Sequence, residues 1–333
     1  MFTLIQEALS FDDVSLLPNY SDILPQEVNL SVALTSTVSL NIPLLSCSTL
    51  NTLTEVSMAI ALARQGGIGI ISKNTSIEFQ VGQVKKVKTC LNEKMADTMR
   101  EVKDLQKSYA KACYNDQGQL RVGAAIGVDV EDRKRAESLI KAGTDVLVVD
   151  AVHGHSQSMF MQVAWLKKHY PTITLIAGNI VTGEAALALY EIGVDAIKVG
   201  VDSSSANQDS SVGVPLITAI ANVATALQQA AASVSVVASG ISSSKEACKA
   251  LAAGAHLVTC NDLLIETQKN SLENISSRSH IKMLDQLLNG LRTDMAYLGC
   301  HNLEALHEKV YFVKINSARY CKGPYAIGIS QQE

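Results

Sequence analysis

Short apolar runs alternate with longer amphipathic ones along most of the chain. The short runs are Ile42–Ser46, Gly67–Ile71, Arg121–Ala125, Val146–Asp150, Thr174–Ala177, Ala196–Val199, Val234–Ala238 and His256–Thr259. They are rich in Val and Ile and mostly apolar on both faces, the pattern of strands in a parallel sheet covered on each side. Between them, Glu55–Arg64, Glu131–Lys141, Ser158–His169, Gly183–Ile192, Val214–Ala230 and Lys245–Ala253 read as amphipathic helices. Gly66, Gly143, Gly193 and Gly254 follow helices, where a left-handed C-cap favours glycine. Two phrases nearly repeat: Lys141-Ala142-Gly143-Thr144-Asp145-Val146 and Glu191-Ile192-Gly193-Val194-Asp195-Ala196, with Ala252-Ala253-Gly254-Ala255-His256-Leu257 as a third. Eight such β-α steps predict a closed (β/α)8 TIM barrel with functional groups at the C-terminal ends of its strands. The alternative is an open doubly wound sheet. From Lys86 to Asn115 the chain is charged, helix-prone and without a strand, which predicts a helical excursion between the second and third units. No proline- or serine-rich linker interrupts the pattern, so residues 1–333 are expected to form a single barrel domain.

Charge and composition narrow the function classes. The chain has 333 residues, 28 Lys+Arg, 32 Asp+Glu and a net charge of -4. That balance offers no basic excess to neutralise a nucleic acid backbone. Charged residues make up 18% and apolar ones 47%, against about 25% charged in ordinary soluble domains. A chain this sparsely charged is expected to cover part of its surface in an oligomer. The first residues lack the basic start of a signal peptide, and Pro215–Ala232 is interrupted by Thr218, Asn222, Thr225, Gln228 and Gln229, so it reads as a buried helix rather than a membrane span. The seven cysteines are scattered without a CxxC pair. They read as reduced thiols of a cytoplasmic protein, with no metal site.

Several motifs carry a resemblance that runs in order along nearly the whole chain. They are Leu9-Ser10-Phe11-Asp12-Asp13-Val14, Asn41-Ile42-Pro43-Leu44, Gly66-Gly67-Ile68-Gly69-Ile70-Ile71-Ser72-Lys73-Asn74, Asp150-Ala151-Val152-His153-Gly154-His155-Ser156, Ala177-Gly178-Asn179-Ile180-Val181-Thr182, Lys198-Val199-Gly200 and Gly290-Leu291-Arg292. Together they resemble the IMP dehydrogenase/GMP reductase family. The resemblance implies a (β/α)8 barrel, a homotetramer, purine nucleotides as substrates and NAD or NADP as cofactor. It also implies a pair of CBS modules in the dehydrogenases, for which Lys86–Asn115 is too short.

In that family a cysteine adds to the purine at C2 and hydride passes to or from the nicotinamide, a covalent route. The family's loop after the sixth strand reads Gly-Pro-Gly-Ser-(Ile/Val)-Cys-Thr-Thr-Arg. Here Gly200 to Gly213 contains no cysteine, and Ser205, Ala206, Asn207 and Gln208 stand around the nucleophile's place. A loop so rich in serine is expected to be solvated and poorly ordered. The family's Asp-Gly-Gly of the phosphate site is Ser239-Gly240-Ile241 here, and its Gly-Ser is Asn261-Asp262. A carboxylate at Asp262 facing a phosphate would cost about 4 kcal/mol at ~4 Å and an effective dielectric of 20, unless Asp262 simply caps the helix after it. The stretch Glu266–His280 is short for the family's flap and lacks its Gly-Met and Arg-Tyr elements, leaving Arg278 and His280 as its candidates for proton transfer, although such residues are more often plain surface ones.

The dinucleotide side is better kept. Asp150 matches the family's nicotinamide-riboside aspartate and Asn179 an active-site asparagine, with His153 and His155 close behind Asp150. Cys47, at the end of the first strand, is a candidate replacement nucleophile, although a cysteine there is more often packing. Three readings remain open. The first is a pseudoenzyme with a structural or regulatory role that binds purine nucleotides weakly or not at all. The second is an active IMP/GMP oxidoreductase with relocated catalytic groups. The third is a barrel for a different small molecule.

Overall fold

The computed structural model describes residues 6–46, 56–95, 111–200, 212–260 and 277–315. Eight parallel strands form one sheet: β1 (Leu44–Ser46), β2 (Gly69–Ile71), β3 (Val122–Ile126), β4 (Val146–Asp150), β5 (Thr174–Ile180), β6 (Ala196–Val199), β7 (Ser235–Ile241) and β8 (Leu257–Cys260). From β2 to β8 each pairs with its chain neighbour, and β8 returns to β1. The seam between β1 and β2 is joined by a bridge between Leu45 and Ile68, with Ser46 N–H donating to the Ile68 carbonyl at 3.1 Å. The fold is a (β/α)8 barrel.

Helices follow the strands in order: α1 (Val56–Gln65), α2 (Ile77–Met95), α3 (Asp132–Lys141), α4 (Gln157–His169), α5 (Gly183–Glu191), α6 (Leu216–Gln229), α7 (Ser244–Ala252) and α8 (Ser277–Tyr297). Strand residues are buried on both faces because two apolar layers lie on either side of the sheet. One fills the barrel, with Leu45, Ile68, Ile70, Ala125, Val148, Ile176 and Val237. The other lies between sheet and helices, with Leu44, Ile71, Ala124, Val149, Ala177 and Ile197. Alternate strand residues enter alternate layers, as the period of two requires.

A hairpin of Val32–Ala33 against Ser39–Leu40 plugs the N-terminal end of the barrel. Its Leu34, Val38 and Leu40 join the interior cluster. Ser235, at the start of β7, donates its hydroxyl to the Leu34 carbonyl at 2.9 Å. A second antiparallel pair, Val14–Leu16 with Phe312–Lys314, ties the first residues to the last described ones. The apolar runs of the sequence do not forecast either pair, because each strand is only two or three residues long.

The near-repeated phrases turn out to be one structural device used three times. Asp145 accepts the Val122 N–H at 2.7 Å and the Lys88 ammonium at 2.6 Å. Asp195 does the same for the Leu175 N–H at 2.7 Å and Lys167 at 2.5 Å. In the third copy His256 takes the place of aspartate, and its Nδ1 accepts the Val236 N–H at 3.1 Å. Each side chain therefore satisfies a backbone donor at the entry of the preceding strand, β3, β5 or β7. The glycine before it makes the turn: Gly254 has φ +110, and a Cβ there would lie 2.4 Å from that of Ala224.

The expected excursion needs correction in its first part. Lys86 to Met95 is the second half of α2, the regular helix of the second unit. Val84 and Val87 are buried against the sheet, and Lys88 is 5% exposed because Asp145 neutralises it. The charged appearance comes from the outer face, where Lys85 and Lys86 are exposed. After residues outside the described set, Ala112 and Cys113 are buried at the foot of the barrel. Tyr114 pairs with Leu120 in an isolated antiparallel bridge. No helix among the described residues is long and apolar enough to cross a membrane.

Candidate functional site

Parallel strands bring all their C-terminal ends to one rim, so residues far apart in sequence meet there. Asp150 is the last residue of β4 and is 1% exposed. Its carboxylate Oδ1 accepts from the Lys198 ammonium at 3.0 Å, and both side chains are buried. Lys198 lies in β6, two strands away. A charged pair in this setting persists only when each member neutralises the other. Lys73, in the loop after β2, approaches from the other side and donates its ammonium to the Asp150 carbonyl at 2.6 Å. Neither lysine emerges from the sequence as a site residue. For Lys198 the signal is present: a lone lysine in the otherwise apolar Ala196-Ile197-Lys198-Val199.

Asn179 lies in β5 beside Asp150, whose register partner is Gly178. Its Nδ2 donates to the Ala151 carbonyl at 3.2 Å and its backbone N–H to the same carbonyl at 2.9 Å. The Asn179 carbonyl accepts the Gly154 N–H at 2.7 Å. These bonds lace the loop after β4 onto β5. A Cβ on Gly178 would lie 2.3 Å from the Lys198 carbonyl, so glycine is what lets β5 and β6 approach here. The Gly178–Asn179 peptide is cis. Asn179 Oδ1 is buried and has no hydrogen-bond partner among the described residues.

Ser239, in β7, is 1% exposed, and its hydroxyl also has no partner among the described residues. Gly240 has φ +83. The sequence suggests that its N–H is a remnant of a phosphate cradle. In the structure it donates to Thr259 Oγ1 of β8 at 3.3 Å. Asp150, Asn179 and Ser239 thus lie at one rim, with Lys198 between the strands that carry the last two. His153 is exposed and His155 half-buried, with ring centroids 6.5 Å apart, and His155 packs near Phe160 at 5.7 Å.

Cys47, the loop of Ser205, Ala206, Asn207 and Gln208, and the pair Asn261 and Asp262 lie outside the described residues. So do the loop Val201–Ser211 as a whole and Glu266–Ser276 of the flap stretch. Ser46 and Cys260, which directly precede Cys47 and Asn261, are register partners at the ends of β1 and β8. Arg278 and His280 fall in the first turn of α8. Burial pushes the Cys113 thiol up to about 11 and raises that of Cys248 further, which suits inert packing cysteines. Among the described residues no group of three or more His, Cys, Asp or Glu side chains is placed to hold a metal ion.

The rim combines a buried carboxylate paired with Lys198, a second lysine on the Asp150 backbone carbonyl, and two buried polar atoms without partners among the described residues. It belongs to a parallel barrel with a polar, ligand-ready mouth. Comparison with known proteins makes this specific. Residues 8–280 match the IMP dehydrogenase / GMP reductase domain. The inosine-5'-monophosphate dehydrogenase of Borreliella burgdorferi is 42% identical over 296 residues, covering 81% of this chain and 72% of that protein. The enzymes of the same name from Staphylococcus aureus (strain Mu50) and Staphylococcus saprophyticus are 30% and 29% identical over 477 aligned positions, covering 98% of this chain and 97% of each. Those 477 positions exceed the 333 residues here, so part of each staphylococcal protein has no counterpart in this chain. The chain belongs to the IMP dehydrogenase / GMP reductase family.

Proposed function

We propose that this family member keeps the dinucleotide side of its mouth but has lost purine hydride transfer, leaving a structural or regulatory role. The observation that carries the reading is the absence of cysteine between Gly200 and Gly213. Family chemistry needs a thiolate to make a tetrahedral centre at C2, and a serine without a neighbouring base is a poor substitute. Removing a nucleophile alone costs several orders of magnitude in rate. Two features of the mouth point the same way. Ser239 brings a single neutral hydroxyl where the resemblance places a carboxylate for ribose. The Gly240 N–H is engaged by Thr259 rather than facing outward.

NAD or NADP fits the residues that remain. The partnerless Asn179 Oδ1 suits an N–H or O–H donor such as a carboxamide or ribose hydroxyl, with Asp150 and Lys73 beside it. When bound, the cofactor would supply a ring that accepts or gives hydride. The chain's own part is to orient it: Lys198 fixes the Asp150 carboxylate, and the Ala151 carbonyl fixes the Asn179 amide. We place the protein in the cytoplasm as a single-domain homotetramer with weak affinity for purine nucleotides.

Nicotinamide absorbance tests this, with IMP plus NAD in one cuvette and GMP plus NADPH in another. The expected result is no nucleotide-dependent change in either. One observation favours the opposite reading, of an active oxidoreductase: the 42% identity to a protein named as a dehydrogenase. Turnover that saturates with nucleotide and vanishes in Cys47→Ala would establish that second reading and relocate the nucleophile.

A further inference from the structure

We propose that Arg135 and Gln80 are positioning residues for Lys73: together they clamp the loop that aims its ammonium at Asp150, and so fix the second positive charge of the barrel mouth. Its functional weight rests on the reading of that mouth as a binding site.

Lys73 needs such help. Fixing a lysine side chain costs rotamer freedom comparable to what a single charged hydrogen bond returns net of desolvation. The bond to the Asp150 carbonyl therefore leaves little surplus to order a loop as well. That loop runs from Ser72 to Ser76, between β2 and α2, and its ends are held from beneath. Gln80, wholly buried in the first turns of α2, donates both N–H groups of its side chain, to the Ile71 carbonyl at 3.1 Å and the Ala125 carbonyl at 2.9 Å. One amide thereby fastens the exits of β2 and β3. Its oxygen accepts from Arg135 Nη1 at 2.7 Å.

Arg135 comes from α3 and reaches the loop itself. Its Nη2 donates to the Thr75 carbonyl at 3.1 Å, two residues from Lys73. The planar fork of one guanidinium thus spans the loop's anchor and its crest, a geometry lysine cannot reproduce. Asp132 steadies the fork, 3.5 Å from Arg135 Nε. Asp132 also accepts the Asp129 N–H at 3.2 Å and packs against Gly127, where a Cβ would lie 2.3 Å from its Oδ2. The effect of Arg135 and Gln80 passes through Lys73.

The test is trace acetylation of the intact protein with acetic anhydride across a pH series, read at each lysine by peptide mass spectrometry. In the wild-type protein Lys73 is expected to react more slowly than the exposed Lys85 and Lys86. In Arg135→Met its rate should rise by about five-fold, the equivalent of one lost hydrogen bond. Lys88, buried on the same helix and bound to Asp145, is the internal control and should not change. Arg135→Lys should give an intermediate rate. An unchanged Lys73, or Lys73 and Lys88 rising together, would overturn the proposal. Should Arg135→Met fail to fold, Arg135→Lys decides alone, and a wild-type Lys73 rate in it overturns the clamp. Titration with NAD asks the separate question. If NAD does not bind the wild-type protein, the reading of the mouth fails while the labelling result stands.

Discussion

Asp150 and Lys198 sit where an unpaired charge is expensive. Their side chains are 0% and 2% exposed, so truncating one strands the other away from water. Lys198→Met is therefore expected to lower unfolding free energy by about 3 kcal/mol or more. Urea titration should show this as a lower midpoint with little change in slope. The double variant Asp150→Asn with Lys198→Met should recover most of the loss, because no charge is then left buried. A single variant within about 0.5 kcal/mol of wild type, the usual range for a harmless surface change, would mean that water reaches the pair. The sequence discloses half of this arrangement. Asp150 is legible because it ends a strand inside a recognisable motif. Lys198 shows only as a lone lysine in an apolar run, and its role stays hidden because its partner is 48 residues away. Lys73 and Arg135 are hidden for the same reason: what matters about them is a backbone carbonyl supplied by another element.

At the scale of elements, the phrase of helix, glycine, turn and acceptor explains both what the sequence reveals and what it conceals. Its repetition announces the barrel, and the strand runs fall within a few residues of the observed ones. Its purpose becomes visible only when Asp145, Asp195 and His256 are seen to receive the N–H groups of Val122, Leu175 and Val236. Burial ranks the copies. Lys88 and Asp145 have side chains 5% and 8% exposed, against 19% and 30% for Lys167 and Asp195. Asp145→Ala should thus cost about 3 kcal/mol and Asp195→Ala about 1 kcal/mol, measured by urea unfolding of the two variants side by side. Equal losses would show that burial does not set the difference.

The third copy brings a pH dependence of its own. Burial, and secondarily the nearby His307 ring at 5.3 Å, lowers His256 to about 4. An Nδ1 that accepts a hydrogen bond also cannot carry a proton. The unfolded chain, with an ordinary histidine near 6.5, binds a proton first as acid is added. The stabilisation is therefore complete above pH ~6.5, declines as pH falls and is lost below ~4, amounting to up to about 3 kcal/mol. Asn at position 256 keeps an acceptor but does not titrate. His256→Asn should consequently lose less stability than wild type between pH 7 and pH 4.5 in paired urea titrations. Parallel declines in the two proteins would rule out His256 as the source.

At the scale of the whole molecule, 333 residues carry only 18% charge, which leaves apolar groups to be covered. Mean hydropathy is +0.16, and a barrel this size already uses its apolar residues in two internal layers. Some remain outside. Tyr20, Tyr297 and Tyr311 are 84%, 68% and 71% exposed and Leu17 is 49% exposed. They lie close together, since the Leu17 N–H meets the Tyr311 carbonyl and the Asn19 N–H meets that of Tyr297. Large apolar groups gathered on one side of a single copy favour association, and closed symmetric assemblies are its usual form. Light scattering at micromolar concentration is expected to give about four times the 35.6 kDa of one chain. An assembly held mainly by apolar area should resist salt, because screening acts on exposed charges and shrinks the Debye length from roughly 10 Å at 0.1 M to about 3 Å at 1 M. The mass should therefore be the same at both ionic strengths. A particle of one chain's mass would remove the tetramer from the proposal, and a tetramer that falls apart in salt would show that ion pairs rather than apolar contacts hold it.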